Sequence, residues 1–209
     1  MIGYKSNFIF VHVPKTAGQS VSGALKPFTL PLHKRVVQRL GRHAFRRSKY
    51  DHYSLYPGGQ HATAQEIRSF LGQREFENFY SFAFVRNPWD RMVSTYNFAK
   101  RRPKSYRYKF AINSTLDEFV ESLPQLKMKQ QVEYIFDETG SVMVDKVGRF
   151  ETLADDFAEI CDHIGISVRL PHRNKTNHDD YRRSLSDTSR ELIAKHFADD
   201  IREFGYTWD

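Results

Sequence analysis

The chain has 209 residues, 40% of them hydrophobic, which is enough for one well-buried core and short for two, so a single domain over residues 1–209 is expected. A net charge of +7 points to anionic partners without choosing among them. One cysteine, Cys161, excludes an intrachain disulfide, and the few apolar residues ahead of Pro14 make neither a signal sequence nor a membrane span, from which a cytoplasmic location is expected.

Phe8, Ile9, Phe10, Val11 and Val13 form an apolar, β-branched and aromatic run that reads as a buried strand, ended by Pro14, which lacks a ladder donor. A turn follows, K-T-A-G-Q, and Ser20, Val21, Ala24 and Leu25 fit the start of a helix. The unpaired N–H groups and positive dipole end of such a helix face whatever anion the turn holds. Lys15 adds a mobile charge, and Thr16 and Ser20 add hydroxyls. Between His33 and Lys49, seven basic residues are interleaved with Val36, Val37, Leu40 and Phe45, which suits either a solvated basic helix or an acceptor-binding surface. Thr63 to Glu66 has the pattern of a capping box ahead of Ile67, Phe70 and Leu71, so a helix starts just after His61.

Ser81 to Val85 is a second buried strand, followed at once by R-N-P-W-D-R-M-V-S-T-Y. Pro88 suits a first helical turn and puts Arg86 and Asn87 at the strand-to-helix corner, with Trp89, Val93, Tyr96 and Phe98 for apolar contact. Arg86 and Ser94, eight positions apart, can both reach one phosphate, and the planar guanidinium binds two of its oxygens at once. The competing reading of Arg86 is an ion pair with Asp90. A second basic cluster, Lys100 to Lys109, contains Tyr106 and Tyr108, which either stack on sugar faces or simply pack. Thr115 to Glu118 repeats the capping box; Val142, Val144, Val147 and Phe150 suggest a strand, and Thr152 to Asp155 a cap for the helix holding Phe157, Cys161 and Ile164. A polar loop, L-P-H-R-N-K-T-N-H, precedes a last helix with Leu192, Ile193, His196, Phe197 and Ile201 on one face. Strands joined by helices, with ligand loops at the strands' carboxyl ends, give an α/β fold of three layers, α/β/α, around a central parallel sheet.

In V-P-K-T-A-G-Q-S the lysine precedes the glycine by three residues, unlike the nucleoside-triphosphate loop G-x-x-x-x-G-K-[ST]. It resembles instead the 5'-phosphosulfate loop of sulfotransferases that use 3'-phosphoadenosine 5'-phosphosulfate, especially the carbohydrate-type branch with the heparan 2-O-sulfotransferases, here as a bacterial member. R-N-P-W-D-R-M-V-S is similar to the family's 3'-phosphate motif, and V-G-R-F-E-T-L-A-D-D-F also resembles the family. The resemblance implies the family's P-loop nucleotide-hydrolase-like fold. It implies that Lys15, Thr16, Ala17, Gly18, Gln19 and Ser20 hold the 5' side of the donor, that Arg86 and Ser94 hold its 3'-phosphate, and that Arg173 and Lys175 close over it. At Gly18 and Gln19 many relatives carry small hydroxyl residues instead. The catalytic base it implies is His61, since G-Q-H-A-T-A resembles the bacterial segment with a histidine just before a helix; His12 reads as packed or orienting. The resemblance implies further that Lys15 stabilises charge on the leaving phosphate and that adenosine 3',5'-bisphosphate is the product. The expected acceptor is a hydroxyl, with saccharides favoured, and neither a metal, a specific nucleic acid nor a membrane span is expected. A P-loop-type nucleotide kinase and a non-enzymatic polyanion-binding protein are the rival readings.

Overall fold

Phe8 and Phe10 alternate with Ile9 and Val11, a pattern that suits a strand covered on both faces, and in the computed structural model all four are fully buried. The structure describes residues 1–29, 59–170 and 180–209, so the basic segment 33–49, Arg173 and Lys175 lie outside the described residues. In chain order it contains β1 (Ile2–Gly3), β2 (Phe8–Val11), α1 (Gly18–Leu25), α2 (Ala64–Leu71), α3 (Gln73–Glu77), β3 (Tyr80–Val85), α4 (Pro88–Lys100), α5 (Tyr108–Ala111), α6 (Leu116–Glu121), α7 (Val132–Ile135), β4 (Lys146–Arg149), α8 (Leu153–His163), α9 (Tyr181–Ser184), α10 (Asp187–His196) and α11 (Ala198–Phe204). The described residues fall into two compact units, drawn from Met1–Val85 with Glu133–Arg173 and from Arg86–Val132 with Asn174–Asp209. Among them no helix is long and apolar enough to cross a membrane.

The first unit holds a four-stranded sheet in the order β1-β2-β3-β4. β2 pairs with β3 in parallel from Phe8↔Tyr80 to Val11↔Ala83, and β3 with β4 from Phe82↔Lys146 to Val85↔Arg149. β1 runs antiparallel to β2, so the sheet is mixed where a parallel one was expected. The cause is the short link Tyr4–Asn7, which can only fold back on itself, with Asn7 at φ 48° helping the turn. One face is a row of rings, Phe8, Phe10, Phe82 and Phe84, covered by Val21 and Leu25 of α1 and by Phe157, Ile160 and Cys161 of α8. Each such phenylalanine contributes about 1.5–3 kcal/mol by leaving water. Phe84 lies over its register partner Gly148, where a Cβ would come within 2.5 Å of the ring, so only glycine fits there.

The capping box at Thr63 forms as expected, with Thr63 Oγ1 accepting from Glu66 N at 3.1 Å and Glu66 Oε2 accepting from Thr63 N at 2.7 Å. Thr115 and Glu118 do the same for α6. Other expectations need correction. The strand sought over 142–150 is only Lys146–Arg149; Val142 makes an isolated bridge to Phe136 and is half exposed. Thr152 precedes α8 without capping it, because its hydroxyl donates to Asp156 Oδ2. The last helix breaks at Phe197 into α10 and α11, and Leu192 faces solvent.

The second unit is built on α4, against which α5, α6, α9 and α10 pack. Trp89 of α4 meets Trp208 edge to face and donates from Nε1 to Arg190 O at 3.0 Å, which ties the carboxyl-terminal Tyr-Thr-Trp segment to the helix. Phe98, expected to pack inward, is 38% exposed with Arg102 over its ring.

Candidate active site

The loop after β2 is held in an unusual backbone conformation. Lys15 and Ala17, neither of them glycine, sit at φ 73° and 61°, left-handed values that cost on the order of 1–2 kcal/mol each. Ala17 is the N-cap of α1, and an alanine has no side-chain acceptor to offer the first turn. Alternating backbone hands of this kind turn N–H groups toward one point, and a helix start without a side-chain cap suits an anion there. Thr16 is fully buried, and its Oγ1 donates to Val13 O at 2.9 Å. The hydroxyl thus braces the turn and is not the phosphate donor expected from it. Gly18 opens α1, two residues before the expected start, Gln19 is exposed, and Ser20 donates its N–H to Ala17 O at 2.9 Å.

His12 extends the ring row beyond the strand, stacking on Phe10 with centroids 5.6 Å apart. Its imidazole lies directly on Gly18, where a Cβ would stand 2.0 Å from Cδ2 and Nε2. That close approach gives glycine a reason at this position. Burial, aided by His61 and then by the amino terminus, pushes the His12 imidazole down to about 3, so it is neutral in the folded chain. Gln60 Nε2 donates to His12 Nδ1 at 3.1 Å, which puts the ring proton of His12 on Nε2. His61, exposed in the 3-10 turn Gly59–His61, donates from Nδ1 to His12 O at 3.0 Å, and the two rings meet edge to face at 4.7 Å. A neutral His61 so held keeps its lone pair on Nε2, the atom that can take a proton.

The corner after β3 is organised within the second unit. Arg86 is 3% exposed, and its Nε and Nη2 both donate to Asp90 Oδ2, at 2.9 and 2.7 Å. The ion pair weighed against phosphate binding is therefore present. The main chain of Arg86 is held just as closely: Gln131 Oε1 accepts from its N–H at 2.9 Å and Gln131 Nε2 donates to its carbonyl at 2.8 Å. Gln131 in turn donates its N–H to Asp200 Oδ1 at 2.6 Å, and Arg91 Nη1 lies 3.6 Å from Asp200 Oδ2. Burial raises the Asp200 carboxyl above its usual range, with Arg91 opposing. Pro88 opens α4 as expected, and Asn87 caps it, its Oδ1 accepting from Trp89 N and Asp90 N. Ser94 is buried on the same helix.

Of the residues singled out by sequence, the structure thus places Lys15 through Ser20 and His61 in the first unit, linked through His12, and Arg86 with Ser94 in the second. In the cluster at 100–109, Arg107 lies over the Tyr106 ring and Tyr106 is 45% exposed. Gln60, Gln131 and Asp200 were not singled out; adjacency to His61 marks Gln60, whereas nothing local marks the other two. Among the described residues no group of three or more His, Cys, Asp or Glu side chains is placed to hold a metal ion.

The chain is 33% identical over 123 residues to an uncharacterized protein of Archaeoglobus fulgidus, an alignment that takes in 57% of this chain and 96% of that one. The sequence model of the Sulfotransferase family matches residues 1–207. A match that runs almost end to end makes this chain a member of the sulfotransferase family, and its chemistry the transfer of a sulfuryl group.

Proposed function

We propose that this sulfotransferase takes its sulfuryl group from 3'-phosphoadenosine 5'-phosphosulfate and gives it to a hydroxyl of a carbohydrate, as a bacterial member of the branch similar to the heparan 2-O-sulfotransferases. The fold we assign is the single-domain, three-layer P-loop-like form of that family. The observation that carries the donor is the loop after β2: Lys15 and Ala17 in left-handed conformations ahead of a helix with no side-chain cap. The Lys15 ammonium, the N–H groups from Thr16 to Gln19 and the Ser20 hydroxyl bind the 5'-phosphate, and Lys15 neutralises charge as the phosphate–sulfuryl bond breaks. Arg86, oriented by Asp90, binds the 3'-phosphate together with Ser94. Arg173 and Lys175 are proposed to bind the nucleotide as well.

In the reaction, the acceptor oxygen attacks sulfur, His61 Nε2 takes the hydroxyl proton, and adenosine 3',5'-bisphosphate leaves with the bonding electrons. Positioning and charge neutralisation do most of the work in such transfers. Labelled phosphosulfate donor offered with a panel of saccharides, small alcohols and peptides tests this. Label must move to a saccharide hydroxyl without added metal, and Lys15→Ala must abolish most transfer. Phosphoryl transfer from ATP with magnesium would instead establish a kinase, and polyanion binding that falls steeply with salt, with no bisphosphate preference, a binding protein.

A further inference from the structure

The base assigned above works only in one tautomer. An exposed neutral imidazole exchanges its proton between the two nitrogens, and with the proton on Nε2 it cannot accept one from the substrate. The carbonyl of His12 selects the useful form by taking the Nδ1–H of His61. That contact needs the 3-10 turn Gly59–His61 to sit squarely on His12, and the turn is attached there at two points: Gln60 to the His12 ring, His61 to its main chain. The anchor itself is rigid, since the His12 ring is 3% exposed, stacked on Phe10 and pressed on Gly18.

We propose that Gln60 is a positioning residue for sulfuryl transfer: by donating to His12 Nδ1 it seats the turn and holds His61 as the Nδ1–H tautomer, with Nε2 left to receive the acceptor's proton. This rests on His61 being the base. The amide acts without touching either substrate, and Gln60→Leu removes its donor while keeping its bulk.

Nitrogen-15 spectra of enzyme labelled at histidine read the tautomer of each ring directly, independent of turnover. In the wild type His61 must be the Nδ1–H form and His12 the Nε2–H form. In Gln60→Leu, His61 must move toward Nε2–H, kcat must fall by about 10- to 100-fold, and the Kd of adenosine 3',5'-bisphosphate must stay within about twofold. An unchanged His61 tautomer with unchanged kcat overturns the proposal alone, as does a loss of kcat matched by an equal loss of bisphosphate affinity. Full turnover in His61→Ala overturns the base assignment and this inference with it.

Discussion

His12 shows how one buried side chain sets a condition on the whole protein. Its imidazole ordinarily titrates near 6.5 and is pushed down to about 3 in the fold, chiefly by burial. The unfolded chain therefore binds a proton as pH falls below 6.5 while the folded chain does not until about 3, so stability present above 6.5 is lost across that window. Between pH 7 and 4.5 the wild type should lose about 2–3 kcal/mol that His12→Asn does not lose, measured by denaturant unfolding at both pH values. Gly18 is the other half of the same contact. Gly18→Ala forces the ring away from the start of α1, at a cost of about 1–3 kcal/mol, and should weaken bisphosphate binding in calorimetry because the cradle moves with it.

Elements differ in how far their own sequence determines them. Thr63 and Glu66 cap α2 with groups three residues apart, and Thr63→Ala should cost about 1 kcal/mol in unfolding experiments. Such local chemistry is legible in the sequence, as are the Phe8–Phe10 alternation, the Pro88 start of α4 and the lysine-bearing turn after β2. What could not be read depends on distant partners. Val142 and Val144 look like strand residues, but Asp137 Oδ1 accepts from Thr139 N and Ser141 N and closes a turn there, so the ladder with β3 begins only at Lys146. The break between α10 and α11 follows from Gln130, whose Oε1 takes the N–H of Asp199 at 3.0 Å and so serves the start of α11 from 69 residues away. Arg86 and its corner were found from the motif, whereas the Gln131–Asp200–Arg91 set that fixes its main chain has no local signature. Asp200→Ala removes the buried carboxylate that faces Arg91 and leaves Gln131 N without its acceptor. It should destabilise the chain by about 3–5 kcal/mol in chemical unfolding.

At the scale of the whole molecule, family membership fixes the chemistry as sulfuryl transfer, and the net charge of +7 agrees with anionic partners. What we propose of the donor is narrower: it carries both a 5' and a 3' phosphate, the first bound through Lys15 and the second through Arg86. Calorimetry comparing adenosine 3',5'-bisphosphate with adenosine 5'-monophosphate isolates the 3' group, because the two ligands differ in nothing else. The wild type should prefer the bisphosphate by about 10- to 100-fold, Arg86→Lys should lose most of that preference, and Lys15→Ala should weaken both ligands alike. Equal affinity of the wild type for the two nucleotides would contradict the account.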